Sequence, residues 1–120
     1  DARWYADGFP TMHPSIVKEI HTMVAKTPIE GYIAATIAVR DFDITDRLSD
    51  IKAPLLLITG AEDKATPLSE AKLIAETCAN AKLITIENAS HLALVEKPYE
   101  FDTALINFFS YVDEQPHKNN

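Results

Sequence analysis

At 120 residues, with 47% hydrophobic and 24% charged side chains, the chain has the composition of one small globular domain, which excludes a disordered or fibrous polymer. A formal charge of −7, with eleven Lys and Arg scattered along the sequence, excludes the clustered basic surfaces that bind nucleic acid or anionic membranes. A single cysteine rules out an intrachain disulfide and points to a reducing, cytoplasmic compartment; no apolar run approaches the ~20 residues that span a bilayer, and the start carries no signal-peptide pattern.

In chain order, residues 1–45 read as a helical cap or lid segment. Pro14 suits the first turn of a helix, and Ile16, Val17, Ile20, Met23 and Val24 recur on one face until Thr27-Pro28 ends it. A second helix, Glu30 to Arg40, is rich in Ala and Ile and apolar on most sides. Residues 46–113 change period. Leu55–Thr59 is a short continuous apolar run, the pattern of a strand buried on both faces. Thr66-Pro67 opens a helix whose inner stripe is Leu68, Ala71, Ile74, Ala75 and Cys78, which makes Cys78 a small core residue and not a nucleophile. Lys82–Glu87 is a second strand. Pro98 opens a last helix with Phe101, Leu105, Phe108 and Phe109 on one face, and residues 114–120 form a frayed tail.

Strand–helix–strand–helix order predicts an α/β fold with two parallel strands joined by a right-handed crossover. Two parallel strands make no stable sheet alone, so further strands are expected from sequence upstream of Asp1 or from another chain. The absence of an initiator Met supports the same expectation.

In open α/β sheets the functional residues collect beyond the carboxyl ends of the strands. The loop after the first strand carries Asp63, and the loop after the second carries His91. Adjacent elements thus deliver an acid and a histidine to one edge, where a carboxylate can accept the Nδ1–H of His91, orient the ring and stabilise the imidazolium. Taken singly, Asp63 also suits a turn and His91 a helix cap or loop, and Glu62 is a competing acid. Their joint placement, acid before histidine, favours the chemistry.

The stretch from Pro54 through Gly60-Ala-Glu-Asp63 to Thr66-Pro67 resembles the acid-bearing strand and loop of the α/β-hydrolase superfamily. Asn88-Ala-Ser-His91, followed by an apolar run and Glu96-Lys-Pro98, resembles its catalytic-histidine segment. Arg3-Trp4-Tyr5, His13-Pro14, Thr27-Pro28-Ile-Glu-Gly31-Tyr32 and Ala38-Val-Arg40-Asp41-Phe-Asp43 together resemble the cap of 3-oxoadipate enol-lactonases. The resemblance implies the C-terminal part of an α/β-hydrolase fold, with Asp63 as triad acid and His91 as base.

It further implies cofactor-free hydrolysis of a small carboxylate-bearing lactone in bacterial aromatic catabolism. Arg3 is the candidate cation for the substrate carboxylate, with Trp4 walling the pocket, and no metal is expected. Arg40 is assigned to an ion pair with Asp41, Asp43 or Asp46, and His13 and His21 to the cap surface.

None of Ser15, Ser49, Ser69, Ser90 and Ser110 lies in G-x-S-x-G. The nucleophile and the oxyanion hole are therefore expected from the other half of the enzyme, without which this chain is inert. The alternatives are another α/β-hydrolase (carboxylesterase, dehalogenase or C–C hydrolase), a non-catalytic binding module of the same fold, and an independent small domain.

Overall fold

A computed structural model of the chain describes residues 3–115. Those residues form α1 (Phe9–Met12), α2 (Pro14–Ala25), α3 (Ile29–Asp41), a 3-10 turn (Thr45–Asp50), β1 (Leu55–Gly60), α4 (Leu68–Thr77), β2 (Ala81–Ile86), α5 (Ala93–Glu96) and α6 (Pro98–Asp113). They divide into a helical unit, Asp7–Asp46, and a sheet unit made of the residues up to Ala6 and those from Arg47 onward. Residues 3–6, expected in the helical segment, belong instead to the sheet unit, where they are hydrogen-bonded to the chain that follows β2.

In the helical unit, Pro14 occupies the first turn of α2, where its fixed φ costs nothing, and Pro28 immediately precedes α3. The short α1 was not anticipated; Gly8 enters it at φ 88°, a left-handed value that glycine adopts without strain. The face predicted to be the inner stripe of α2 is not buried in this structure: Ile16, Met23 and Val24 are exposed, and so are Ile29, Tyr32, Ile33 and Ile37 of α3. Arg40 pairs with Asp41, one of its expected partners, through Nε at 2.6 Å and Nη2 at 2.8 Å. His13 is exposed, with its ring 4.6 Å from that of Phe9, and His21 is exposed too.

In the sheet unit, β1 and β2 pair in parallel, as the element order predicts, from Leu55 opposite Ala81 to Gly60 opposite Ile86. Ile86, Ala89 and Ala93 form a small core on which Ile58 and Phe101 pack, so α6 lies on the Ile58/Ile86 face. Leu55 to Ile58 are only half-buried, whereas the apolar run predicted burial on both faces. The described residues pair with β1 along one edge only, which leaves the other edge and part of both faces uncovered.

Cys78 lies just past the end of α4 in extended backbone, although it is a buried core residue as expected; its thiol bonds to the Leu48 carbonyl at 3.2 Å. Phe109 is 56% exposed, and Ala104, not an aromatic ring, is the buried residue of α6. Phe108 and Phe109 are adjacent, and neighbours in a helix point about 100° apart, so one stripe cannot bury both. Glu114 and Gln115 still donate to the last turn of α6, and the remainder of the expected tail lies outside the described residues.

Candidate active site

Both candidate residues follow the carboxyl ends of the paired strands, and one glycine lets their loops meet. A Cβ on Gly60 would collide with the backbone carbonyl oxygens of Ala89 and Ser90. The last residue of β1 therefore packs directly against the chain that leads to His91. The Ala61 N–H donates to the Ile86 carbonyl and the Glu62 N–H to the Ala89 carbonyl, both at 2.9 Å. In the turn after β2, Asn88 adopts φ 54°, a left-handed conformation that asparagine tolerates better than most residues.

Asp63 folds its loop around its own carboxylate. Oδ1 accepts the Ala65 N–H at 2.8 Å and the Thr66 N–H at 2.9 Å; Oδ2 accepts the Thr66 hydroxyl at 2.8 Å. Oδ2 also accepts Nδ1–H of His91 at 3.0 Å. A carboxylate only accepts, so this contact requires the proton on Nδ1 and leaves Nε2 as the basic nitrogen of the neutral ring. Burial pushes the Asp63 carboxyl up and is the largest single influence. The hydrogen bonds from Thr66, His91 and Ala65 together outweigh it, and hold the group below its ordinary value. The Asp63 side chain is 5% exposed and that of His91 37%, so the acid is shielded while the base is open to a reactant.

A second carboxylate holds the histidine loop. Glu96 is buried; its Oε1 accepts the Ser90 N–H and its Oε2 the Ala6 N–H, both at 2.7 Å. Bonds from backbone N–H groups to an ionised acceptor are the short, strong kind. The Ser90 hydroxyl lies 3.1 Å from the carbonyls of both Arg3 and Glu62 and shares its proton between them. The Leu92 N–H donates to the Trp4 carbonyl at 3.0 Å. Residues 3–6, the acid loop and the histidine loop are thereby tied together.

The structure thus brings Asp63 and His91 into direct contact. Glu62, the competing acid, takes part through its backbone. Arg3 is exposed and Trp4 half-buried, and their carbonyls border the histidine loop. Thr66, Ser90 and Glu96 were missed as site residues. Thr66 had a signal, since a Thr three residues after an Asp completes a side-chain-closed turn, but it was read only as a helix opener. Glu96, in the segment Glu96-Lys-Pro98, had no assigned role; one partner, Ser90, is six residues away, but the other, Ala6, lies in a distant segment. A cavity of about 390 Å³ runs beside β1, lined by Leu57, Ile58, Ile74 and Phe101, with Asp63 and His91 also on its wall. Among the described residues no cluster of His, Cys, Asp and Glu could hold a metal, and no helix is long and apolar enough to cross a membrane.

The parallel strands and their helices make a partial α/β-hydrolase fold, with an acid and a histidine in contact beyond the strands' carboxyl ends. Residues 34–112 match the family described as TAP-like protein, a family of α/β-hydrolases, and the chain belongs to it. It is 32% identical over 103 residues to 3-oxoadipate enol-lactonase 2 of Acinetobacter baylyi, a match covering 86% of this chain and 38% of that protein. The enol-lactonase of Burkholderia xenovorans superposes with a TM-score of 0.86 at 25% identity, over 90% of this chain and 41% of that one. A thermophilic esterase of Thermogutta terrifontis, solved with malate bound, superposes at 0.85 and 27% identity, over 92% and 41%. The chain therefore spans about two fifths of the length of the relatives it matches.

Proposed function

We propose that this chain supplies the acid and the base of a serine hydrolase whose nucleophile lies elsewhere in the protein, and that the substrate is a small carboxylate-bearing lactone such as 3-oxoadipate enol-lactone. The observation that carries the reading is the 3.0 Å contact between a shielded Asp63 carboxylate and the Nδ1–H of an open His91. It leaves Nε2 free to take a proton. In the mechanism, Nε2 removes the proton of the serine hydroxyl as the oxygen attacks the lactone carbonyl. The ring C–O bond then breaks, the enolate leaves, and the imidazolium returns the proton to it, giving the enol or its ketone tautomer. Water, deprotonated by Nε2, adds to the acyl-serine; collapse releases the acid and restores the serine. Asp63 stays ionised throughout and stabilises the imidazolium in both halves of the cycle.

The lactone reading draws on the enol-lactonase relatives and on the position of residues 3 and 4 beside the histidine loop. Arg3 would meet the substrate carboxylate, with Trp4 as the adjoining wall. A bacterial aromatic-degradation pathway and a cytoplasmic setting fit that substrate and the single cysteine. Likeness to the malate-bound esterase favours a second reading, in which simple esters are the substrate. The full-length protein assayed on both substrates separates the two. We expect the enol-lactone to show the higher kcat/KM, and Arg3→Ala to raise KM for the lactone more than for a neutral ester. Turnover of the lactone below that of simple esters would sink the lactone reading and favour the second.

A further inference from the structure

We infer that Thr66 is a positioning residue for the Asp63–His91 pair, acting through the Asp63 carboxylate and not on the substrate. The inference rests on the hydrolase reading above. A carboxylate offers about four lone-pair sites, two on each oxygen. At Asp63 all four are filled, by the N–H groups of Ala65 and Thr66 on Oδ1 and by the Thr66 hydroxyl and Nδ1–H of His91 on Oδ2. Thr66 reaches both oxygens. Its N–H and its hydroxyl grip the group from one residue, which fixes the carboxylate plane and leaves a single Oδ2 lone pair aimed at the ring.

The hydroxyl lies 3.4 Å from Nδ1, farther than the 3.0 Å that separates Nδ1 from Oδ2. The charged, nearer acceptor keeps the histidine proton, and Thr66 bounds the ring from one side. The β-branch adds stiffness, because it restricts χ1 and so keeps the hydroxyl on Oδ2. Removing the hydroxyl would leave an open acceptor site on a carboxylate whose side chain is 5% exposed. That site would be filled by rotation of the carboxylate or by an entering water, and either loosens the aim on Nδ1.

The test compares Thr66→Val, which keeps shape and backbone but lacks the hydroxyl, with Thr66→Ser, which keeps the hydroxyl. Both are made in the full-length protein and assayed on a short aryl ester, with folding checked by circular dichroism. The Val variant should lose kcat on the order of tenfold to a hundredfold while KM moves by less than about twofold. The Ser variant should stay within about threefold of the unsubstituted protein. The downfield proton resonance of His91 Nδ1–H should persist with Ser and broaden or vanish with Val. Wild-type kcat in the Val variant, or equal losses in Val and Ser, would overturn the inference. Should the Val variant fail to fold, Thr66→Ala takes its place in the same comparison. Full activity of His91→Ala would instead refute the underlying hydrolase reading, which keeps the two failures apart.

Discussion

At Asp63, burial and hydrogen bonding pull the carboxyl in opposite directions, and hydrogen bonding wins. A carboxyl held below its unfolded value binds protons less readily in the native state. It therefore stabilises the fold fully at pH values above about 4, and that stabilisation is lost as pH falls through the lower native value. Asp63→Asn removes the titration. Thermal melts of the full-length protein should show a wild-type advantage over Asp63→Asn that is constant from pH 7 to 5 and shrinks toward pH 3. An advantage that grows on acidification would mean that the carboxyl is raised, not lowered. The same variant should cut kcat on the order of 10⁴-fold, since an amide facing Nδ1 can donate to the ring and select the wrong tautomer. A loss of less than about tenfold would remove Asp63 from the triad. Asp63 and His91 were legible in the sequence because strand ends fix where loops emerge. Thr66 was overlooked although Asp63 is only three residues away, because Thr66-Pro67 also reads as the start of a helix; Glu96 gave no sign because the Ala6 N–H reaches it only in the folded chain.

At the scale of elements, the sheet unit depends on how closely β1 approaches the chain after β2. Gly60 was visible in the sequence only as the end of a strand; its need for a bare Cα follows from the carbonyls of Ala89 and Ser90, which no local pattern reveals. The obstruction is backbone, not a flexible side-chain tip. Gly60→Ala should therefore cost about 1–3 kcal/mol in chemical denaturation of the full-length protein, in the range of overpacked cores, and should lower kcat by moving the histidine loop. Unchanged stability and kcat would show that the two loops can part freely. Prolines and the change of period made most other elements readable, with bounds within a few residues. The short α1, the 3-10 turn and α5 escaped, since helical segments of four to six residues are too short to show a helical period. The outer turns of α2 and α3 were readable as helices but not as exposed faces, because periodicity shows which side is apolar and not what covers it.

At the scale of the molecule, the chain holds an ordered acid–base pair and no serine in a nucleophile motif. It matches relatives over about two fifths of their length, and the open edge of β1 offers unpaired backbone to a neighbouring strand. On the proposed mechanism His91, held by Asp63, activates a serine outside these 120 residues. The direct measurement is to treat the full-length protein with a fluorophosphonate and locate the adduct by peptide mass spectrometry. One serine outside this chain should be labelled, and labelling should slow sharply in His91→Ala and Asp63→Asn. An adduct on Ser15, Ser49, Ser69, Ser90 or Ser110, or labelling that is indifferent to both substitutions, would contradict it.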